Sequence, residues 1–163
     1  MIYFFDFDRT LCVHNYDGKA KGPSTYYNEC MNVLDPKLFD REYGGDVAPE
    51  YMKWYVGRVR ANDCNLVYVL THEIFNLRDE YKKRFALENY GIRPDHYLSV
   101  NSADHKVPMM QAIADMFEAE PEDCILVDDS VNTLYEAEQV GIRGMHISNV
   151  MVEYEKHMKE GVD

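Results

Sequence analysis

The 163-residue chain has a formal net charge of −12, with 46% hydrophobic and 28% charged residues. That length suits one domain around one hydrophobic core, and the composition excludes a chain that is mostly disordered. The acidic balance argues against nucleic acid or an anionic membrane as a partner.

No apolar run is long enough for a membrane-spanning helix, and no basic, apolar leader opens the chain, so no signal peptide is expected. The four cysteines (Cys12, Cys30, Cys64 and Cys124) include no C-x-x-C pair. A zinc site is therefore not expected, and reduced thiols suit a cytoplasmic setting.

In chain order, Ile2 to Phe5 is a short apolar run that stops at Asp6, and it predicts a strand buried on both faces. Residues 12–62 have few strong apolar runs. Asp17-Gly18 marks a turn, and Asp46 and Pro49 predict the start of a helix reaching about Ala61. This segment reads as a flap with a small helical elaboration on a single domain spanning 1–163. Leu66 to Leu70 predicts a second strand, ending at Thr71. Asn76 to Tyr90 has helical spacing through Leu77, Tyr81, Phe85 and Leu87, with Gly91 as its stop. Tyr97 to Val100 predicts a third strand. Lys106 to Glu118 predicts a helix through Met109, Met110, Ile113 and Phe117. Cys124 to Val127 is a fourth strand, ending at Asp128. Ser130 caps a helix to Val140, Gly144 to Ile147 is a fifth strand, and Val150 to Lys159 is a last helix. Strands alternating with helices predict an α/β fold, with a mainly parallel, Rossmann-like sheet of about five strands and helices on both faces.

In such a sheet the site lies at the carboxyl ends of the strands. Three of the apolar runs end on polar groups that can do chemistry: Asp6, Thr71 and Asp128. Asp6 and Asp8 follow one strand, and Asp128 and Asp129 end another. Clustered carboxylates repel one another and need a cation to stay ionised together. An oxygen-only donor set suits Mg²⁺, which also binds substrate phosphate.

The order Asp6-x-Asp8-x-Thr10, then Thr71, then Lys106, then Asp128-Asp129 resembles the haloacid dehalogenase-like (HAD) hydrolases over about residues 1–148. The run Phe4-Phe5-Asp6-Phe7-Asp8-Arg9-Thr10-Leu11 carries most of the likeness. The resemblance implies a Mg²⁺-dependent phosphomonoester hydrolase working through an aspartyl-phosphate on Asp6. It implies Asp8 as general acid and base, with Thr71 and Lys106 binding phosphoryl oxygens. Metal ligands would be Asp6, Asp8 through its backbone carbonyl, Asp128 and Asp129. Asn132 stands where many members carry a further Asp, and the double Asp is a common form of that motif.

Thr10 is expected to tie the turn after the first strand. His14, Asn15 and Tyr16 fall where the family has a flap, and His72, His105 and Arg9 are weaker candidates for substrate contact. Tyr51, Trp54 and Tyr55 are expected to pack. The interval from Thr10 to Thr71 leaves room for a small cap at most. The interval from Thr71 to Lys106 has no room for an inserted domain. The partner implied is a phosphorylated substrate at a fairly open site, either a macromolecule or a small molecule enclosed by a second copy in a homo-oligomer. A phosphotransferase and a non-catalytic HAD-like binding domain are the alternatives. A dehalogenase would need neither Asp8 nor Asp128, and a phospho-receiver places its acidic pair first and its phosphorylated Asp later.

Overall fold

The computed structural model describes residues 1–13 and 46–161. The expected turn at Asp17-Gly18, and His14, Asn15 and Tyr16, lie outside the described residues. Five strands form one parallel sheet: β1 (Ile2–Phe5), β2 (Leu66–His72), β3 (Tyr97–Val100), β4 (Cys124–Asp128) and β5 (Arg143–His146). The strand order is β3-β2-β1-β4-β5, and every pairing is parallel. The helices are α1 (Glu50–Ala61), α2 (Asn76–Tyr90), α3 (Lys106–Met116), α4 (Val131–Gln139) and α5 (Ile147–Lys159).

Alternation along β1 divides the core. Phe5 faces a cluster with residues from α1, α2 and α5, including Met52, Tyr55, Phe85 and Val150. Ile2 and Phe4 face the other, with Met110 and Ile113 of α3 and Leu134 of α4. Strands so covered are apolar at consecutive positions, which is why β1 and β4 are nearly unbroken apolar runs. The five-stranded α/β expectation therefore holds, with helices on both faces.

The helix boundaries show where sequence signals competed. Gly91 ends α2 at φ 68°, a left-handed conformation that suits glycine. Ser130 caps α4, accepting from the Thr133 N–H at 3.3 Å. Asp46, expected to start α1, does not cap it. Pro49 occupies the N-cap position, and Asp46 instead accepts from the Tyr81 hydroxyl at 3.0 Å. α5 begins at Ile147, three residues earlier than expected, because the His146 ring accepts from the Ser148 N–H. Leu87 and Phe117, read as inward positions, are exposed. On α2 the inner face is completed by Arg78 and Lys82, both almost fully buried.

Tyr55 is buried and Trp54 packs on Tyr154 and His157. These aromatics pack as expected, and Trp54 joins α1 to α5. No helix among the described residues is long and apolar enough to cross a membrane.

Candidate active site

The register fixes which residues meet. Phe5 is level with Val127 of β4 and with Val69 of β2. Asp6, the next residue, is therefore level with Asp128, and Thr71 lies one step beyond it on the other side. Asp6 continues the sheet pattern, its N–H donating to the Val127 carbonyl at 3.0 Å. The chain then turns sharply: the N–H groups of Thr10, Leu11 and Cys12 all donate to the Phe7 carbonyl. That turn brings Thr10 back so that its hydroxyl donates to Asp6 Oδ2 at 3.2 Å. Thr10 is fully buried, so its expected structural part includes orienting the Asp6 carboxylate.

Lys106, the first residue of α3, reaches the other Asp6 oxygen. Its Nζ is 2.7 Å from Asp6 Oδ1 and 3.2 Å from Asp128 Oδ2. Asp128 Oδ1 accepts from the Ser130 N–H at 2.9 Å, which fixes the carboxylate by the turn that starts α4. Asp6, Asp128 and Asp129 each offer an oxygen within 4.8 Å of the others. Three carboxylates against one ammonium leave two negative charges, which one divalent cation would neutralise. The donor set is oxygen only, so the residues fit Mg²⁺. Asn132 is exposed at the second residue of α4.

The electrostatics record the strain of this cluster. Burial pushes Asp6 up to about 6; Lys106 opposes this, while Asp128 and Asp8 add to it. Burial also raises Asp129 to about 6, and the adjoining Asp6 contributes. Asp128 is raised too, mainly by burial. For Lys106, burial disfavours the ammonium, but Asp6 and Asp128 outweigh that and hold it above its ordinary value.

A pH dependence follows. A carboxyl with a raised folded value gives stability that is full below its unfolded value and is lost as pH rises through the folded one. For Asp6 that window runs from 3.8 to about 6, a displacement worth ~3 kcal/mol. With chelator present, raising the pH through this window is expected to destabilise wild type relative to Asp6→Asn, read as unfolding free energy in urea. Parallel pH curves for the two proteins would contradict the assignment.

Asp8 is placed differently from the other three acids. Its carboxylate points to α2, with Oδ1 2.8 Å from Arg78 Nη2 and Oδ2 2.9 Å from Lys82 Nζ. Thr71 is buried and its Oγ1 accepts from Lys82 at 2.9 Å. Glu73 also meets Lys82, at 3.0 Å, and its Oε2 accepts from the N–H groups of Ile74 and Phe75 at the start of α2. His72 and His105 are exposed, as is Arg9, which adopts φ 63°. The His146 Nε2–H donates to the Asp129 carbonyl at 3.1 Å, while Nδ1 accepts from the Ser148 N–H. This ties the loop that carries Asp129 to the start of α5.

The structure thus brings Asp6, Lys106, Asp128 and Asp129 together, with Asp8 and Thr71 beside them. The sequence reading did not identify Arg78, Lys82 or His146. The available signal was Arg78 and Lys82 at i and i+4, interleaved with Tyr81 and Phe85 on one helical face.

No family model and no curated protein matches the chain. Solved structures do. A HAD-family enzyme from Bacteroides thetaiotaomicron, in complex with magnesium and inorganic phosphate, is 13% identical, with a TM-score of 0.57 over 89% of this chain and 92% of that one. A phosphoserine phosphatase, as a phospho-aspartyl intermediate analogue, is 14% identical, with a TM-score of 0.62 over 87% and 84%. A HAD-family hydrolase from Deinococcus radiodurans with bound phosphate and sodium is 13% identical, with a TM-score of 0.53 over 88% and 79%. The chain has the fold of the haloacid dehalogenase-like hydrolases.

Proposed function

We propose that this chain is a Mg²⁺-dependent phosphomonoester hydrolase in which Asp6 is the nucleophile. The observation that carries the reading is the meeting of Asp6, Asp128 and Asp129 within 4.8 Å at the ends of two adjacent strands. Structures of the same fold that hold magnesium and phosphate, or a phospho-aspartyl analogue, support it.

Asp6, Asp128 and Asp129 would hold the ion, with the Asp8 backbone carbonyl as a further ligand. The metal would supply charge neutralisation, letting an anionic ester approach a carboxylate. An Asp6 oxygen then forms a bond to phosphorus as the ester P–O bond breaks, and the leaving oxygen takes a proton from Asp8. Water next attacks phosphorus and gives a proton back to Asp8, the bond between phosphorus and the Asp6 oxygen breaks, and inorganic phosphate departs. As a carboxylate, Asp8 is an acceptor only. Donating a proton therefore requires it to be protonated and to release Arg78 or Lys82. Lys106 and the Thr71 hydroxyl would bind phosphoryl oxygens, Lys106 from the position where it now spans Asp6 and Asp128.

The test is turnover of a phosphomonoester panel, with alcohol and phosphate release measured separately. Chelation is expected to remove at least about 100-fold of the rate, and Mg²⁺ to restore it. Equal release of both products identifies a hydrolase. Alcohol released without phosphate would identify transfer to another acceptor, and a rate indifferent to chelation would sink the metal-dependent reading.

A further inference from the structure

Lys82 has no part in the proposed reaction beyond its hold on Asp8, yet among the described residues it is the most deeply buried cation near the site. The residue is 0% exposed. Its ammonium lies 2.9 Å from Asp8 Oδ2, 2.9 Å from Thr71 Oγ1 and 3.0 Å from Glu73 Oε1. An ammonium has three donors and no acceptor, and here three acceptors meet it. Arg78, one turn earlier on α2, holds the other Asp8 oxygen.

The contact with Thr71 has a directional consequence. Lys82 can only donate, so Thr71 Oγ1 accepts from it and the hydroxyl hydrogen must point elsewhere. The same ammonium fixes the Asp8 carboxylate from the turn after β1. One nitrogen on α2 thus spaces a group from the β1 end against a group from the β2 end.

We propose that Lys82 is a positioning residue for the phosphoryl reaction, acting through Thr71 and Asp8. It makes the Thr71 hydroxyl a donor towards the phosphoryl site, and it sets where the Asp8 carboxylate stands. The inference rests on the hydrolase reading above. A lysine present only to balance buried charge would share the same ion pairs but would not be coupled to Thr71 in catalysis.

A double-mutant cycle separates the two. Thr71→Val, Lys82→Met and the double variant would be compared in kcat, KM and inhibition by inorganic phosphate, with folding checked by thermal unfolding. Each single variant is expected to lose about 30- to 100-fold in kcat/KM, and the double no more than about 3-fold beyond the worse single. Lys82→Arg retains the charge that supports folding. Its planar fork cannot direct three donors from one nitrogen, so it is expected to recover less than about a tenth of the lost rate. If Lys82→Met does not fold, the cycle is run with Lys82→Arg. A double variant whose loss is the product of the singles, or a folded Lys82 variant with wild-type kcat and KM, overturns the inference alone. Wild type inert towards every phosphomonoester overturns the hydrolase reading and the inference with it.

Discussion

Asp6→Asn is expected to abolish turnover, by ~10⁴-fold or more, while leaving the protein folded. The amide matches the carboxylate in shape but is no nucleophile towards phosphorus, so no covalent phosphoryl-enzyme should form. Label from a radioactive phosphomonoester should attach to wild type in a quenched reaction and not to the variant. Folding should survive for a reason visible in the site. Asp6 is a buried acid pushed up to about 6, so its charge is a liability to the apo protein at neutral pH. Lys106, on losing Asp6 as an ionic partner, still has Asp128 at 3.2 Å. Residual activity within tenfold of wild type, or label that persists in the variant, would remove Asp6 from the nucleophile's place.

Lys106→Met should damage both stability and rate. Among the described residues, its ammonium is the one cation that pairs with Asp6 and Asp128 together. Removing one partner of a buried ion pair leaves charge uncompensated, at a cost of ~3–5 kcal/mol. Asp6 and Asp128 would be pushed further up, so the defect should deepen as pH rises through their values and shrink in acid. Mg²⁺ should restore more stability to this variant than to wild type, since the ion would offset the same carboxylates. Loss of a cation that would meet developing phosphoryl charge should also lower kcat by ~10²–10³-fold. Urea unfolding with chelator, with Mg²⁺ and across pH reads the first effect, and steady-state rates read the second. Wild-type stability in chelator at neutral pH would show that Lys106 does not balance the cluster.

How much of this was legible in the sequence depended on the kind of residue. Asp6, Thr71 and Asp128 mark themselves because each stands at the end of an apolar run, and a parallel sheet gathers such ends on one edge. Lys106 was legible only through order along the chain and the family likeness, because a lysine at a helix start is common. Arg78 and Lys82 were hidden by their own chemistry. Hydrophobic spacing assigns cations to the solvent face, so the reading of α2 turned Leu87 inward, whereas the fold buries both cations instead. Asp8 was the missing clue: a carboxylate beside a buried site needs a partner, and the i, i+4 cations next to Tyr81 and Phe85 could supply one. The α5 start was missed because a histidine side chain served as the cap.

The placement of Asp6 at the middle of the strand order has a consequence for how the molecule breathes. Its amide is bonded to Val127 of β4, and β1 is flanked on both sides, with β3 and β5 at the edges. Sheets loosen from their borders, and central strands exchange only when the whole unit opens. The candidate nucleophile is therefore anchored to the last part of the sheet to come apart. Fraying of either border strand can proceed without disturbing that anchor.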